Sequence, residues 1–199
     1  SLEYIDKPSS DLDSLSTSKQ IDKDEKRIRT LFDKEDKGAE LIRRSLASLF
    51  AYISHRIPEI TDRPYLIDRA MKAGFGWNYG PFEYWDIIGL EKGIEAAEEE
   101  GVQPADWIYA MQSSERDSFY KVQDGSKSYY HPGEEEYRKL PGMEDRIPLE
   151  LFRTKEAVFS NDETTLHDIK DGVLCLELQS EQNAIGEGIL RGINKAIDI

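Results

Sequence analysis

The sequence predicts a mainly α-helical protein that ends in a small amount of β-structure. Apolar residues recur at helical spacing through most of residues 37–113. After residue 113 the chain changes character, with tyrosines between Gly and Pro and short runs that alternate between apolar and polar positions. We therefore expect a helical domain at 37–113, a hairpin and linker at 114–163, and a separate segment at 164–199.

The balance of charge excludes several classes of partner. The 199 residues carry 40 Asp and Glu against 26 Lys and Arg, which gives a net charge of -14. Such an acidic chain repels phosphate groups, so we expect no nucleic-acid partner and no docking on anionic membranes. No stretch approaches the roughly 18 apolar residues of a membrane span. A single cysteine, Cys175, excludes an internal disulfide, and residues 1–15 lack signal-peptide features, so we expect a cytoplasmic protein.

Residues 1–36 are predicted to be a linker that contains one short helix. Up to residue 20 the chain is rich in Ser, Asp and Lys, which is typical of segments with little structure. The helix is predicted at 21–32, where the apolar residues are Ile21, Ile28, Leu31 and Phe32. Acidic residues near the start of this helix and arginines near its end suit the helix dipole.

The most regular apolar pattern lies at 37–57 and predicts the longest helix, which Pro58 ends. Its apolar stripe consists of Leu41, Ile42, Leu46, Leu49, Phe50, Ile53 and Ile57. A second helix is predicted at 64–73, with Gly74 and Gly76 at its end. The inward face of this second helix is predicted to consist of Leu66, Ile67, Ala70 and Met71.

A third helix is expected to begin at Pro81, because proline has its φ preset for the first turn of a helix. Two further helices are predicted at 90–100 and 104–111. The third helix places Phe82, Trp85 and Ile88 on one face. We expect the core of the domain to form where four side chains pack against each other, namely Phe50, Ile53, Phe82 and Trp85.

The first β-structure is predicted shortly after residue 113. Residues 119–122 and 128–130 suit a hairpin with a turn at Asp124-Gly125. Residues 140–162 are typical of a linker, with one helical turn near 149–152.

The last segment changes character again. Residues 165–169 and 173–178 predict a second hairpin with a turn at 170–172, and residues 186–199 predict a helix. A hairpin and a single helix cannot bury one face of a sheet. We therefore expect this segment to be the start of a larger domain.

No complete active site is evident in the sequence. The run from Gly74 to Gly80 resembles a dinucleotide-binding loop only superficially, because its spacing is one residue too long and it follows a predicted helix instead of a strand. The histidines His55, His131 and His167 are far apart in sequence, so we do not expect a metal site.

Three carboxyl groups lie among aromatic side chains and are the candidates for chemistry: Asp68, Glu83 and Asp86. A carboxyl group beside Trp77 or Trp85 would have a raised pKa and could act as an acid, which would make the chain an autonomous acid–base enzyme. Alternatively, such a carboxylate caps a helix or forms a buried hydrogen bond that anchors a turn. We favour the anchoring interpretation.

The run from Ile67 to Leu90 resembles the carboxy-terminal domain of the 3-hydroxyacyl-CoA dehydrogenase family. The pattern of that family is an Asp, a Gly six positions later, a Gly-Pro pair, and an Asp shortly before Gly-Leu. These places are filled here by Asp68, Gly74, Gly80, Pro81, Asp86 and Gly89. The departure is Trp77-Asn78-Tyr79, where the family often has an aromatic residue, a Pro and an apolar residue. Residues 56–60 look like the multidomain bacterial members.

The last segment carries a second resemblance. Residues 171–178, followed by Asn183-Ala184-Ile185, are similar to the first hairpin and the Asn-Ala-Leu motif of the enoyl-CoA hydratase (crotonase) family. Ile185 replaces the more common Leu, and Ser180-Glu181-Gln182 stands where the family has Arg-Pro or a similar pair. The position after a dehydrogenase-like domain strengthens the match. The tail at 164–199 therefore resembles the truncated start of a crotonase-like domain.

The two resemblances imply a fusion enzyme of fatty-acid β-oxidation. An NAD-binding dehydrogenase domain with a His–Glu catalytic pair would precede this segment, and the rest of a hydratase would follow it. The whole protein would oxidise 3-hydroxyacyl-CoA to 3-oxoacyl-CoA with NAD and hydrate enoyl-CoA. No residue of this chain matches a catalytic, cofactor-binding or metal-binding position of either family, so we expect the segment alone to be inactive.

The first resemblance also implies a structural role for the helical domain. In the family this domain packs against other domains of the same polypeptide, or across a homodimer, and helps to close the acyl-CoA cleft. The broad apolar faces of the predicted helices suit that role. The alternative is a non-enzymatic interaction module that uses the same faces to bind a protein partner. An NAD-binding loop in the same polypeptide would distinguish the two, since only the enzyme requires it.

Overall fold

The computed structural model describes residues 11–199 except 124–125, 144–145, 154–155, 181 and 183. The predicted turn at Asp124-Gly125, the motif residue Asn183 and the first ten residues of the predicted linker lie outside the described residues. The chain divides into two compact units. The first comprises Ser1–Lys121 and Ser128–Lys139, and the second comprises Val122–Lys127 and Leu140–Ile199.

The first unit contains seven of the helices that the structure describes and most of one antiparallel sheet. In chain order these helices are α1 (Asp13–Ser18), α2 (Asp24–Phe32), α3 (Lys37–His55), α4 (Pro64–Phe75), α5 (Pro81–Ile88), α6 (Leu90–Glu99) and α7 (Asp106–Ser113). The sheet has the order β1 (Tyr120–Gln123), β2 (Ser126–His131) and β3 (Glu136–Lys139). The predicted mainly α fold class, with a small hairpin extension, is confirmed.

Helix α1 lies where the sequence predicted little structure. The carboxylate of Asp36 explains the difference, because it accepts hydrogen bonds from the backbone N–H of Ser14 at 2.6 Å and from those of Gly38 and Ala39 at 3.0 Å. One side chain therefore caps α3 and holds α1 beside it. These backbone donors lower the pKa of Asp36 to about 2.

The buried face of helix α4 agrees only in part with the prediction. Ile67 packs against the core and Met71 is half-buried, as predicted, but Leu66 and Ala70 are exposed, whereas Tyr65 and Asp68 are buried. Tyr65 packs edge-on against Tyr129 of β2, with ring centroids 4.7 Å apart. Contact with the sheet therefore determines which face of α4 is buried. This buried face includes the polar residue Asp68, whereas the helical periodicity predicted only aliphatic residues there. The helix also continues through Gly74 and ends at Phe75, with Gly76 as its C-cap.

The core of the first unit is built around Trp85. Its indole stacks on the ring of Phe50 at 4.7 Å, and its Nε1–H donates to the carbonyl oxygen of Leu90 at 3.1 Å. Phe82 and Phe119 pack edge to face at 4.9 Å beside it. The predicted core is confirmed, since its four side chains are buried in one cluster: Phe50, Ile53, Phe82 and Trp85.

Because Gly93 of α6 has no side chain, the indole of Trp85 can lie directly against this helix. A Cβ atom at position 93 would lie 2.0 Å from Nε1 of Trp85, and the packed core leaves that ring nowhere to move. We expect Gly93→Ala to lower the free energy of unfolding by roughly 1–3 kcal/mol, because the overpacking exceeds the gain in helix propensity. Urea denaturation of the variant measures this, with exposed Glu91→Ala in the same helix as the control. An unchanged or increased stability of Gly93→Ala would contradict the packing described here.

The sheet of the first unit completes the helical core. Phe119 and Tyr130 are almost fully buried in it, and the N–H of Tyr130 donates to the carbonyl oxygen of Phe119 at 2.8 Å. The compact unit therefore extends to residue 139, beyond the boundary predicted after residue 113. Aromatic side chains from the sheet fill the core, so the helices do not close it by themselves.

The second unit contains α8 (Glu150–Arg153), the sheet β4 (Phe159–Ser160), β5 (Thr164–Asp168) and β6 (Leu174–Leu178), and α9 (Glu187–Ile197). The strands are antiparallel, and Leu166 pairs with Leu176 between β5 and β6. The predicted hairpin and terminal helix are confirmed, but the predicted linker also supplies the third strand, β4. Leu166 and Ile189 are buried, whereas the apolar residues Leu190, Ile193 and Ile197 of α9 are exposed.

None of the helices in the described part of the chain combines the length and the apolar character needed to cross a bilayer.

Candidate functional site

The candidate acids converge on the start of β1. Asp68 comes from the middle of α4 and Asp86 from the last turn of α5, and both accept hydrogen bonds from Tyr120, the first residue of β1. Two helices and a strand that are separate in sequence are therefore joined by two carboxyl groups. We call Asp68, Asp86 and Tyr120 the carboxylate cluster.

Asp68 caps helix α5 from a neighbouring helix. Its Oδ1 accepts from the backbone N–H of Phe82 at 2.8 Å, and its Oδ2 accepts from the N–H of Glu83 at 3.2 Å. These are the second and third residues of α5, whose amides a capping side chain normally binds. Gly80 occupies the N-cap position and has no side chain to do this. The hydroxyl of Tyr120 adds a third donor, at 2.6 Å from Oδ2.

Gly80 is required at the N-cap by the close approach of α4. A Cβ atom there would lie 2.3 Å from the Cβ and 2.4 Å from the Cα of Asp68, and backbone cannot yield at that distance. The N–H of Gly80 donates to Oε2 of Glu83 at 2.8 Å, and Lys72 of α4 donates to the same carboxylate at 2.7 Å. The Gly-Pro pair of the motif thus lets α5 begin directly against Asp68.

Asp86 holds the segment that leads into β1. Its Oδ1 accepts from the backbone N–H of Phe119 at 2.6 Å, and its Oδ2 accepts from the N–H of Tyr120 at 2.9 Å and the hydroxyl of Ser118 at 3.2 Å. The hydroxyl of Tyr137 in β3 donates to the carbonyl oxygen of Ser118 at 2.5 Å. Asp86 therefore fixes the sheet to α5.

Burial dominates the electrostatics of the cluster. It raises the pKa of Asp68 and of Asp86 to about 7 each, although the donors around each carboxylate act in the opposite direction. Burial, and then the negative charge of Asp68, raises the pKa of the Tyr120 hydroxyl, which stays protonated as the donor. Raised pKa values of this kind occur both in catalytic acids and in structural networks, so the geometry must decide between the two.

The geometry favours anchoring. Asp68 is 1% exposed and its carboxylate receives three donors, so no substrate atom reaches it. Both oxygens of Asp86 are likewise occupied, although it borders an open depression of about 600 Å³. Glu83 is committed to Lys72 and to the N–H of Gly80. All three candidate acids are engaged in hydrogen bonds that position helices and strands.

Other residues singled out by the sequence lie apart from the cluster. Gly89 joins α5 to α6 with a φ of 107°, where a side chain would be strained. Gly74 meets no atom within 4 Å, and nothing in the structure explains its place in the motif. Each histidine has its own partner: His55 with the carbonyl oxygen of Gln103, His131 with Asp62, and His167 with Glu177.

A metal site and a dinucleotide-binding loop, two kinds of site considered from the sequence, can be compared with the described residues. Among them, no three His, Cys, Asp or Glu side chains converge in a way that could hold a metal ion. The run from Gly74 to Gly80 connects α4 to α5, so no strand precedes it as a dinucleotide-binding loop requires. This run therefore does not form a dinucleotide-binding loop.

Sequence reasoning missed Tyr120 and Ser118 as partners of the two acids, and Gly93 as the space for Trp85. A glycine in the middle of an amphipathic helix was a usable signal, because it costs helix stability and calls for a packing reason. Nothing in the sequence pairs Tyr120 with Asp68, since they are 52 positions apart.

Comparison with known proteins gives a family match over the part of the chain that contains this cluster. Residues 41–137 match the family model for the 3-hydroxyacyl-CoA dehydrogenase, C-terminal domain, and this range includes the whole cluster. The chain is 34% identical to a 3-hydroxyacyl-CoA dehydrogenase of Bacillus subtilis (strain 168) over 186 residues, which is 93% of this chain and 23% of that protein.

A more distant relative is a fatty acid oxidation complex trifunctional enzyme of Rickettsia felis, 20% identical over 151 residues, or 76% of this chain and 18% of that protein. A second, from Rickettsia prowazekii, is 38% identical over 42 residues, or 21% of this chain and 6% of that protein. The chain thus spans about a quarter or less of the curated relatives it matches. No solved structure gave a significant match.

Proposed function

We propose that this chain is the non-catalytic helical segment of a 3-hydroxyacyl-CoA dehydrogenase of fatty-acid oxidation, and that it packs domains together and helps to close the acyl-CoA cleft. The observation that carries the proposal is the carboxylate cluster, because every anchoring residue lies within the stretch that matches the family's C-terminal domain. In the full-length protein, this rigid helical unit would present its outer faces to the catalytic domains.

The catalytic groups and the cofactor site belong to other parts of the polypeptide in this proposal. The carboxyl groups of the cluster are engaged in anchoring hydrogen bonds, and the glycine-containing run follows a helix, so we expect the segment alone to be inactive. NAD would be held by an upstream domain and would supply the hydride-accepting chemistry for oxidation of 3-hydroxyacyl-CoA.

We also propose that the second unit is the start of an enoyl-CoA hydratase-like domain. The hairpin β5–β6 and helix α9 suit the resemblance of residues 171–185 to that family. The exposed apolar residues Leu190, Ile193 and Ile197 on α9 support the idea that the unit is completed by further chain. The similarity to the Bacillus protein also extends over 93% of this chain, well beyond the dehydrogenase family match.

The size and the activity of the native polypeptide test this proposal. An antibody against this segment should detect a product several times larger than 22.9 kDa in the source cells. That product, once purified, should reduce NAD with 3-hydroxybutyryl-CoA as substrate, while the isolated 199-residue chain should not. A native product of the segment's own size, or a large product without this activity, would overturn the proposal and favour the interaction-module alternative.

A further inference from the structure

The turn between β5 and β6 carries an Asp-Gly pair at its tip. Asp171 and Gly172 form this pair, and they lie between Lys170 and Val173. All four residues are exposed. Of the aspartates in the sequence, only Asp171 and Asp124 are followed by glycine, and Asp124 lies outside the described residues. We call Lys170, Asp171 and Gly172 the β5–β6 turn.

The backbone of the β5–β6 turn lies in the left-handed region. The φ angles are 76° at Lys170, 53° at Asp171 and 74° at Gly172. Only glycine adopts this region without a steric cost, so the hairpin holds Lys170 and Asp171 there. Two hydrogen bonds close the turn: the N–H of Ile169 donates to the carbonyl oxygen of Val173 at 3.1 Å, and the N–H of Val173 donates to that of Lys170 at 3.0 Å. Asp171 and Gly172 supply neither the donor nor the acceptor of these bonds.

The side chain of an aspartate can react with the amide nitrogen of the next residue. The nitrogen of Gly172 attacks Cγ of the protonated Asp171 carboxyl group, so that a C–N bond forms and the C–OH bond breaks. The hydroxyl group leaves with the amide proton as water, and the product is a cyclic succinimide. Water then adds back: opening at Cγ restores aspartate, whereas opening at the backbone carbonyl carbon gives isoaspartate. Water is released once and consumed once, so the mass is unchanged and no oxidant is needed.

Two properties of the attacking amide decide whether this reaction can occur in a folded chain. The nitrogen must not be held in a hydrogen bond, and no side chain on the same residue may shield it. Gly172 has no side chain, and its N–H makes no hydrogen bond within the described part of the chain. Asp168 in the same hairpin differs in both respects, because it is followed by the β-branched Ile169, whose N–H is bonded to Val173.

We propose that Asp171 is a site of spontaneous isomerisation to isoaspartate, through attack by the amide nitrogen of Gly172 in the exposed β5–β6 turn. The only co-reactant is water, which reaches the exposed tip of the hairpin. In isoaspartate the main chain runs through Cβ and Cγ, so the backbone of the turn becomes longer. The closing hydrogen bonds of Ile169 and Val173 suit the length of the unmodified turn, and we expect them to be lost in the isoaspartate form.

The experiment follows isoaspartate in the intact 199-residue chain during incubation in mildly acidic buffer at physiological temperature. Cleavage after glutamate releases one peptide, residues 164–177, that contains both Asp171 and Asp168. Electron-transfer mass spectrometry distinguishes aspartate from isoaspartate at each position. Isoaspartate should accumulate at least roughly tenfold faster at Asp171 than at Asp168. The variant Asp171→Glu should not isomerise at this position, because the longer side chain has to close a larger and less favoured ring.

A synthetic peptide with the sequence of residues 164–177 gives the rate of the reaction in an unfolded chain. The open turn predicts that the folded chain isomerises at Asp171 within roughly tenfold of the rate in this peptide. A slower reaction in the folded chain would overturn the proposal, because the hairpin would then protect the Asp-Gly pair. A ratio below about tenfold between Asp171 and Asp168 in the folded chain would also overturn it, since the turn would then not favour the reaction.

Discussion

Replacement of Trp85 by alanine is expected to lower the free energy of unfolding of the first unit by roughly 3–5 kcal/mol. The indole is fully buried, stacks on Phe50 and contacts Phe119, so its removal leaves a large cavity in the centre of the core. The hydrogen bond from Nε1 to the carbonyl oxygen of Leu90 is lost as well. Urea denaturation followed by circular dichroism measures the change.

Trp77→Ala is the matched control for this experiment, because Trp77 is the same residue type but is only partly buried. Its expected cost is below about 1 kcal/mol. If Trp85→Ala and Trp77→Ala had equal stabilities, Trp85 would not be the centre of the core, and the packing of α3 against α5 would need another explanation.

The helices could be predicted from sequence because their signals are local. The stripe of α3 repeats over five turns, and Pro81 marks the start of α5 whatever surrounds it. The inward face of α4 could not be predicted in this way. Its burial is decided by Tyr129 and by the amides of α5, which are distant in sequence, and a buried Asp68 contradicts the rule that apolar residues face inward.

The boundary after residue 113 differed from the structure for a similar reason. A change of periodicity from helical to alternating is a local signal of a new type of element, but it carries no information on which core that element completes. The sequence pattern placed Phe119 and Tyr130 in strands, but in the structure both side chains pack in the core that the helices form. The acids were recognised because polar residues among aromatics are unusual, whereas their partners Ser118 and Tyr120 required the fold.

The motif shared with the dehydrogenase family has a common physical meaning in this structure. Asp68 binds the amides at the start of α5, Gly80 allows α4 to approach that start, and Asp86 near the end of α5 binds the segment entering β1. One short helix is thus held at both ends by carboxylates. These carboxylates fix the two ends of a helix whose apolar side chains, Phe82 and Trp85 among them, are packed in the core.

The substitution Asp68→Asn tests directly how strongly the Asp68 side chain holds the start of α5. With a pKa of about 7, Asp68 is protonated in the folded chain at pH 5, and both of its oxygens can still accept hydrogen bonds. The amide keeps the size of the side chain and one acceptor oxygen, but its NH2 group has no acceptor for the donors that approach the second oxygen. We expect a loss of roughly 2–4 kcal/mol at about pH 5. Asp33→Asn, at an exposed carboxylate, is the control and should cost less than about 0.5 kcal/mol. A double-mutant cycle with Tyr120→Phe measures the share carried by the 2.6 Å hydrogen bond.

The pH dependence of that loss separates a buried carboxyl group from a solvated one. Burial raises the pKa of Asp68 to about 7 in the folded chain, from 3.8 when it is exposed. Between these values the unfolded chain has released the proton and the folded chain has not, so the contribution of Asp68 to stability falls as the pH rises. The difference in stability between the native chain and Asp68→Asn should therefore be largest near the lower pKa and narrow by several kcal/mol towards pH 8. A difference that stays constant or widens over this range would show that the Asp68 carboxylate is already charged in the folded protein, held by its three donors against the cost of burial.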